Sequence, residues 1–416
     1  MSNVENYNIA WISTAATDYI AARAFLDEEH PALLSPRGKF DYTLGRIGSH
    51  NVVLISSLFQ LKHDASLAAF IAQEMLHNFP NIRIGLMVGT GGGAPSKNHD
   101  IRFGDIVVGV PCNGRSGVLQ YDFDQTIETQ SCQPTGYLDQ PPTVFRTAIA
   151  ETKAQYENKG HNLDSEVRKI LDKRPRLRKK YQRPDLATDR LYRSHIVHPQ
   201  DNGSPCALSC GEDSSCLVVR RPRLECDGIP AIHYGLIASA HRLMNNASIR
   251  DKLADQMDIL CFETEAAGLM NHYPFLVIRG ICGYADSHNN EDWKGHAAML
   301  AAAYAQDLLS RIPARLVEQE AKVISVLNGE NHTGRIEFSG LNHGIQVGLN
   351  GDNYTGRIEF SGLNHAIQVQ RNDGLESNGL GEVGGAEPID SAFFVSSNIR
   401  GRPPVSMEGP KQGSTS

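Results

Sequence analysis

The chain has 416 residues, of which 40% are hydrophobic and 21% are charged, as expected for a globular protein with one large or two smaller domains. The formal net charge of -7 argues against a protein built mainly to bind nucleic acid. No apolar run reaches the ~18 residues of a membrane span and no secretory signal is evident, so we expect no membrane partner. Eight cysteines are too few for a disulfide scaffold, which favours a cytoplasmic protein with free thiols.

Residues 7–318 are predicted to alternate between strands and helices. Near-continuous apolar runs predict the strands, and apolar residues at helical spacing predict the helices. The predicted strands are 7–13, 51–58, 82–89, 105–111, 258–263 and 275–282, and the predicted helices include 65–76 and 296–312. Strands of this kind are typical of a largely parallel sheet that helices cover on both faces. We therefore expect an α/β domain over residues 1–318.

Residues 155–228 interrupt this alternation and are predicted to form an insertion or a lid. They contain the basic run RKILDKRPRLRKKYQR and then a stretch rich in Gly, Ser and Cys. The basic side chains could contact a triphosphate or could simply form a solvated face, and the pattern does not decide between the two. These side chains are Lys173, Arg174, Arg176, Arg178, Lys179 and Lys180.

A short repeat follows the α/β domain. NHTGRIEFSGLNHGIQV begins at residue 331 and recurs at residue 353 as NYTGRIEFSGLNHAIQV, a period of 22 residues. Apolar and polar residues partly alternate in each copy, which predicts β-strands that need a stacked copy to bury their apolar face. We therefore expect two β-forming repeats over 319–372, whereas the Gly/Ser/Pro-rich residues 373–416 are predicted to be a disordered tail.

Three segments of the α/β domain could carry chemistry. In VGTGGG (88–93), a strand is predicted to run into a glycine-rich turn whose backbone could approach an oxygen-rich ligand, although such a cluster is more often only a tight turn. In CFETEAAGLMN (261–271), a carboxylate could accept both hydroxyls of a ribose, or the acids could only complement a helix dipole. In VIRGICGYADSHNN (277–290), a carboxylic acid could protonate a leaving purine or could cap the next helix.

Together these segments resemble the nucleoside phosphorylase superfamily, which includes purine nucleoside phosphorylases, uridine phosphorylases and methylthioadenosine/S-adenosylhomocysteine nucleosidases. The likeness is strongest to fungal members that are attached to NLR-type immune receptors. It extends over about residues 7–315, and further matching segments are AARAFLDEEH (21–30), YTLGRIGSHNVV (42–53), IRFGDIVV (101–108), VLQYDF (118–123) and IHYGLIAS (232–239). The resemblance implies a three-layer αβα sandwich with a central mixed sheet, in a homo-oligomer.

The resemblance also implies roles for individual residues. The glycine-rich segment from Gly89 to Gly93 would line the site for ribose and for phosphate or water, and Glu265 would bind the ribose. Phe262 would form a wall near the base, and Ser239 would help to frame the base pocket. The implied substrate-binding residues are Gly89, Thr90, Gly91, Gly92, Ser239, Phe262, Glu263 and Thr264.

Several positions depart from the family pattern. Gly283 stands where the family has the aspartate that protonates the base, and Asp286, three residues further on, is the remaining candidate acid. Asp18 matches the glutamate that holds the attacking water in nucleosidases. Met87 stands where one branch of phosphorylases has an arginine, which favours water over phosphate as nucleophile. The segments Ser239-Ala240-His241 and LFQLKHD (58–64) also differ from the family pattern.

These comparisons predict an effector that hydrolyses the N-glycosidic bond of an adenine nucleoside or nucleotide, with ATP among the candidates, using Asp18, Glu265 and Asp286. The alternatives are a phosphorolytic purine nucleoside phosphorylase and an inactive nucleotide-binding domain. The repeats resemble fungal amyloid signalling motifs, which implies clustering with an NLR receptor that bears a matching repeat. No cofactor is expected. The spacing of Cys206, Cys210, Cys216 and His198 fits no standard zinc motif, so no metal is expected either.

Overall fold

The fold is taken from a computed structural model of the chain. It describes residues 3–31, 42–56, 65–112, 114–121, 140–199, 206–223, 229–270, 273–288 and 290–327, together with the backbone of five later strands. Contacts divide the chain into two compact units, Met1–Ile324 and Ser325–Ser416.

The first unit is built on a ten-stranded mixed sheet. Its strands are β1 (Ile9–Ser13), β2 (Glu28–Glu29), β3 (Tyr42–Ile47), β4 (His50–Ser56), β5 (Ile84–Gly93), β6 (Ile106–Gly109), β7 (Val118–Gln120), β8 (Ile232–Ser239), β9 (Ile259–Glu263) and β10 (Leu276–Gly283). The order is β10-β6-β8-β9-β5-β1-β4-β3-β2, with β7 beside β8. Because β10 also pairs with β5, strands β5, β9, β8, β6 and β10 close into a ring.

The helices of the described residues, in chain order, are α1 (Ala16–Ala24), α2 (Ala65–Asn78), α3 (Thr143–Lys159), α4 (Leu163–Lys173), α5 (Pro175–Tyr181), α6 (Cys206–Ser209), α7 (Ala247–Met257), α8 (Ala266–Met270), α9 (Asp292–Arg311), α10 (Ala314–Gln319) and α11 (Val323–Leu327), the last of which extends past the end of the first unit. None of the helices in the described ranges has the length and apolar character needed to span a membrane.

Two larger apolar cores lie on the two faces of the sheet, and a third, smaller cluster includes Leu236, Leu253 and Phe262. Alternate residues of a strand point to opposite faces, so Ile9 and Trp11 of β1 enter the core formed with α1 and α9, whereas Ala10 and Ile12 enter the core formed with α2 and α8. This arrangement confirms the predicted three-layer α/β architecture with a central mixed sheet. The prediction of a glycine-rich turn at 88–93 is wrong, however, because these residues are part of β5.

The glycines of β5 remain in the strand because both neighbours pair with them. Gly89 to Gly92 pair with β10, and Gly92 and Gly93 also pair with β9. A run of glycines without side chains therefore sits inside the sheet, where adjacent elements can approach the backbone closely.

The described part of 155–228 adds helices to the first unit. Leu163, Val167 and Leu171 of α4 and Tyr181 of α5 are buried in the same core as α9. Residues 200–205 and 224–228 lie outside the described part of the chain.

The second unit contains strands from both copies of the repeat. These are β11 (Arg335–Ser339), β12 (Ile345–Leu349), β13 (Gly356–Ser361) and β14 (Ile367–Arg371), followed by β15 (Ser391–Val395). Strands β11 and β13 pair in parallel, and so do β12 and β14, so that each residue faces its counterpart one repeat later, such as Ile336 and Ile358. Strand β15 falls in the tail that was expected to be disordered, and the rest of that tail is outside the described residues.

Candidate active site

The polar residues of the candidate site meet at one edge of the sheet. Strands β1, β5 and β10 run parallel, and their carboxyl ends lie together at this edge. Thr14 follows β1, Thr90 lies near the end of β5, and Arg279 lies in β10. Asp18 in the first turn of α1 and Glu265 just before α8 complete the group.

A buried arginine holds two of the carboxylates. Arg279 is 1% exposed, and its Nη2 lies 2.5 Å from Glu263 Oε2 and 3.3 Å from Glu265 Oε2. Burial opposes the charge of Arg279, but the fields of Glu263, Glu265 and Asp18 outweigh it and raise its pKa above the ordinary value. The guanidinium is thus a fixed cation that positions the acids.

The two glutamates have different hydrogen-bond partners. Glu263 accepts hydrogen bonds from the backbone N–H groups of Glu265 and Ala266, both at 3.0–3.1 Å, and so caps α8. Glu265 is held by side chains, since Thr14 Oγ1 donates to its Oε1 at 2.5 Å and Arg279 donates to its Oε2. The side chain of Glu265 is 12% exposed, against 3% for Glu263, so Glu265 is the glutamate that a ligand can reach.

Asp18 lies beside this group and is almost fully buried. Its Oδ2 accepts a 3.3 Å hydrogen bond from the backbone N–H of Thr90, whereas its Oδ1 has no hydrogen-bond partner among the described residues. Burial, with a further contribution from Glu265 and against the opposing field of Arg279, raises the pKa of Asp18 to about 7. Asp18 can therefore gain or lose a proton near neutral pH.

The absence of a side chain at Gly89 makes this assembly possible. A Cβ at this position would lie 2.6 Å from Arg279 Nη1 and 2.7 Å from Asp18 Oδ2. The nearby predicted residues Gly91 and Gly92 lie against Cys261 and Ala285 in the same way. The glycines thus admit protein side chains and a neighbouring loop to the backbone of β5.

The other predicted substrate-binding residues lie along β9 and the end of β8. Phe262 is 1% exposed and packs edge-on against Tyr121 with ring centroids 5.7 Å apart. Ser239 is fully buried, and its Oγ accepts a 2.9 Å hydrogen bond from the N–H of Ala267. Thr264 is half-buried between the two glutamates. The divergent segment 58–64 lies outside the described residues.

Asp286, the remaining candidate acid, is engaged by its neighbours. Its Oδ2 lies 3.3 Å from Arg250 Nη1, and its Oδ1 accepts a 2.8 Å hydrogen bond from the N–H of His288. Arg250 also donates to the carbonyl of Tyr284 at 2.7 Å, which fixes the loop after β10. Gly283 has open space around it within the described part of the chain, since a Cβ there would meet none of its atoms within 4 Å.

Two site residues, Arg279 and Thr14, were absent from the sequence prediction. A single charged residue inside the apolar run FLVIRGIC is an unusual feature that could have drawn attention to Arg279, because an unpaired charge in a buried strand is costly. Thr14 carries no comparable signal, since a hydroxyl residue after a strand is common. Its contact with Glu265 depends on the tertiary fold.

The comparisons with known proteins bear on the first unit and part of the second. No family model matches the chain. The chain is 36% identical over 332 residues to a nucleotide-binding leucine-rich repeat (NLR)-like protein of Hyaloscypha variabilis. The matched region covers 79% of this chain and 32% of that protein. The chain therefore spans about a third of the length of this relative.

Solved nucleosidases show a weaker likeness. A 5'-methylthioadenosine/S-adenosylhomocysteine nucleosidase from Neisseria meningitidis has 15% identity and a TM-score of 0.45, with 73% of this chain and 98% of that chain covered. A futalosine hydrolase of Helicobacter pylori has 12% identity and a TM-score of 0.44, with 73% and 97% covered. At these values the likeness does not bear on the substrate or activity of this chain.

The raised pKa of Asp18 predicts a pH-dependent stability. The unfolded chain loses this proton near the ordinary value of 3.8, whereas the folded chain keeps it up to about 7. The stabilisation is therefore complete below about pH 4 and is lost as the pH rises to about 7, at a cost on the order of 2–4 kcal/mol. Asp18→Asn, which stays neutral, should remove this part of the pH dependence.

The measurement is urea unfolding at about pH 4.5 and about pH 8. Trp11 and Trp293, the two tryptophans of the chain, are both buried in the first unit, so their fluorescence reports its unfolding. Asp255→Asn, at an exposed position of α7, is the matched control and should follow the wild type. Parallel pH profiles for the wild type and Asp18→Asn would contradict the assignment.

Proposed function

We propose that the first unit hydrolyses the N-glycosidic bond of an adenine nucleoside or nucleotide, with water as the nucleophile. The observation that carries this proposal is the pairing of two different carboxyl groups around Arg279. Thr14 and Arg279 donate hydrogen bonds to the two oxygens of Glu265, whereas Asp18 has a pKa of about 7. Adenine as the base is inferred from the resemblance to the nucleosidase family.

Glu265 is proposed to bind the sugar. A carboxylate can accept hydrogen bonds from two neighbouring hydroxyls of a ribose, and each is strengthened by the charge. As the glycosidic bond breaks, positive charge develops on the sugar ring, and a fixed carboxylate nearby stabilises it. Thr14 and Arg279 keep Glu265 in one orientation, so little reorganisation is needed when the charge appears.

Asp18 is proposed to orient and deprotonate the attacking water. Its Oδ1 is buried and has no hydrogen-bond partner among the described residues, so a water bound beside it would find an acceptor there, while Oδ2 is held by the N–H of Thr90. A base whose pKa lies near the working pH is well suited to accept a proton during the reaction. The water proton would therefore pass to Asp18, and the sugar would gain the hydroxyl group as the bond to adenine breaks. The departing adenine would take up a proton from Asp286 or from solvent.

Water is favoured over phosphate because the expected cation is missing. Met87 is fully buried in the core on the α2 side of the sheet and offers no charge to a phosphate dianion. Arg279 is already shared between Glu263 and Glu265, so its charge is largely neutralised. Phosphorolysis is the alternative outcome of the assay.

The assay measures release of free adenine from adenosine, methylthioadenosine and ATP by the full chain, with and without phosphate. We expect release without phosphate from at least one substrate. Glu265→Gln and Asp18→Asn should each lower kcat/KM by about 10²–10⁴-fold, because one removes the sugar-binding charge and the other the base. Glu318→Gln, an exposed position in α10, is the matched control and should retain full activity.

Three outcomes would contradict the proposal. Release that requires phosphate would indicate a phosphorylase, and equal activity of Glu265→Gln and the wild type would remove the central role of that residue. Absence of release from all three substrates would favour the second candidate function.

The second candidate is a domain that binds a purine nucleotide without cleaving it. The specific observation in its favour concerns the two positions that could supply a proton to the purine base, Gly283 and Asp286. Gly283 cannot donate a proton, and Asp286 is engaged by Arg250 and by the N–H of His288. A missing general acid lowers the rate by about 10²–10⁴-fold, so turnover would be slow or undetectable.

Gly283→Asp distinguishes the two candidates. The open space around Gly283 should accept the new side chain without loss of stability. If the missing acid limits the reaction, Gly283→Asp should raise adenine release by about 10²-fold or more, while Gly283→Asn, of the same size but unable to donate a carboxyl proton, should not. Equal rates for both variants would show that the acid at this position is not what limits turnover.

We infer that the second unit clusters the chain, as an effector recruited by an NLR-type receptor with a matching repeat. The observation in its favour is the parallel pairing of corresponding residues in the two copies, such as Ile345 with Ile367. Such a ladder leaves backbone groups on its outer strands, to which the same repeat from another chain can add. The NLR-like relative is consistent with this setting.

Sedimentation velocity over a range of concentrations tests the clustering. The full chain should form assemblies that grow with concentration, whereas a chain ending at residue 327 should remain at one small size. Adding a synthetic peptide of one repeat should seed assembly of the full chain but not of the chain that ends at residue 327. If both chains sediment identically at every concentration, the second unit does not cluster the protein.

A further inference from the structure

We propose that His198, Cys206 and Cys210 bind a zinc ion. Nδ1 of His198 lies 3.3 Å from Cys210 Sγ and 3.5 Å from Cys206 Sγ. The three ligand atoms all lie within 4.8 Å of one another, and they form the one group of this kind found in the described part of the chain. The proposal concerns a structural ion and is independent of the proposed hydrolysis.

The distances match those of a tetrahedral zinc site. With Zn–S bonds of about 2.3 Å and Zn–N bonds of about 2.0–2.1 Å, neighbouring sulfur and nitrogen ligands are separated by about 3.5 Å. Both distances from His198 Nδ1 to the sulfurs are close to this value. An ion can therefore enter with only small movements of the side chains.

Local structure explains how the two thiols come together. Cys206 and Cys210 are four residues apart, and Cys210 N–H donates to the carbonyl of Cys206 at 2.7 Å, which is the hydrogen bond of one helical turn. Residues at this spacing share one face of the turn. Both are free cysteines, so their sulfurs are available to a metal. The sequence spacing alone gave no reason to expect a site. The third ligand, His198, comes from a separate segment that precedes the two cysteines in the chain.

The histidine is held in place by contacts outside the ligand set. Its backbone N–H donates to Ser287 Oγ at 2.9 Å, and its ring lies edge-on to His288 with centroids 6.1 Å apart. His288 in turn stacks on Tyr192 at 4.0 Å. Supporting contacts of this kind fix the orientation of a metal-binding imidazole. They also connect the proposed ion to the loop after β10.

Cys216 is the candidate for a fourth ligand. The N–H of Arg193 donates to the carbonyl of Cys216 at 2.8 Å, which brings this segment beside the strand-like residues that precede His198. Gly211, directly after Cys210, has φ +86°, and a Cβ there would lie 2.8 Å from Cys216 Sγ. A glycine at 211 thus leaves room for the Cys216 thiol beside the residue that follows Cys210. Binding would release the protons of the coordinating thiols and yield bound thiolates.

The first experiment measures the zinc content of the full chain, purified without chelators, by inductively coupled plasma mass spectrometry. We expect about one zinc per chain, retained after gel filtration. Cys206→Ser, Cys210→Ser and His198→Ala should each weaken zinc binding by about 10²-fold or more in a competition assay with a chromogenic chelator. Cys112→Ser, which removes a free thiol outside the group, is the matched control and should bind zinc like the wild type.

The second experiment replaces zinc by cobalt in the wild-type chain, so that it does not depend on the folding of any variant. Coordination by two or more thiolates should give charge-transfer bands in the near ultraviolet and intense visible bands of a tetrahedral cobalt ion. The proposal is overturned if the folded wild-type chain holds no zinc and gives no such bands. It is equally overturned if the Cys206 and Cys210 variants retain wild-type affinity.

Discussion

The candidate site depends on one buried cation surrounded by three carboxyl groups. Arg279 lies among Asp18, Glu263 and Glu265, and each of the four residues, taken as a whole, is less than one-tenth exposed. Moving so many charges out of water is expensive, and removal of one partner from a buried pair typically costs about 3–5 kcal/mol. Burial, with a further contribution from Glu265, raises the pKa of the carboxyl group that accepts its hydrogen bond from the backbone N–H of Thr90. That group is Asp18, whose pKa lies at about 7.

The geometry of β5 follows from this cluster. Arg279 and Asp18 both need the space that a side chain at residue 89 would occupy. The strand can omit side chains there and still remain in the sheet because β10 and β9 supply its backbone hydrogen bonds. Ordering a glycine-rich strand on folding costs more conformational entropy than ordering other residues, and the side chains that these glycines admit explain why glycine is needed here. The same argument accounts for the failure of the turn prediction.

Much of the fold could be predicted from local patterns. The apolar run 275–282 was expected to be a buried strand, and the structure has β10 at Leu276–Gly283. Such runs report burial on both faces, which is a property of the segment itself. The resemblance directed attention to Asp18, Thr90 and Glu265, and the structure brings these three together around one arginine.

The contacts that join distant segments could not be predicted in the same way. The hydrogen bond from Thr14 to Glu265 links residues 251 positions apart, and no spacing within either segment indicates it. Arg279 could be noticed as a charge in an apolar strand, but its partners could not be named without the pairing of β5, β9 and β10. The same reason applies to His198 and the cysteines, where a loop and a helical turn meet only in the folded chain.

Residues of the insertion 155–228 contact the segments that carry two of the candidate site residues, Asp18 and Asp286. Tyr181 of α5 is 2% exposed, and its hydroxyl donates to the carbonyl of Thr17, next to Asp18. Further along, the N–H of His198 donates to Ser287 in the loop that carries Asp286. A lid that swung freely would have to break contacts at both ends of the site and expose the core face of α4 and α5. The described part of the insertion therefore braces α1 and the loop after β10 through these two contacts.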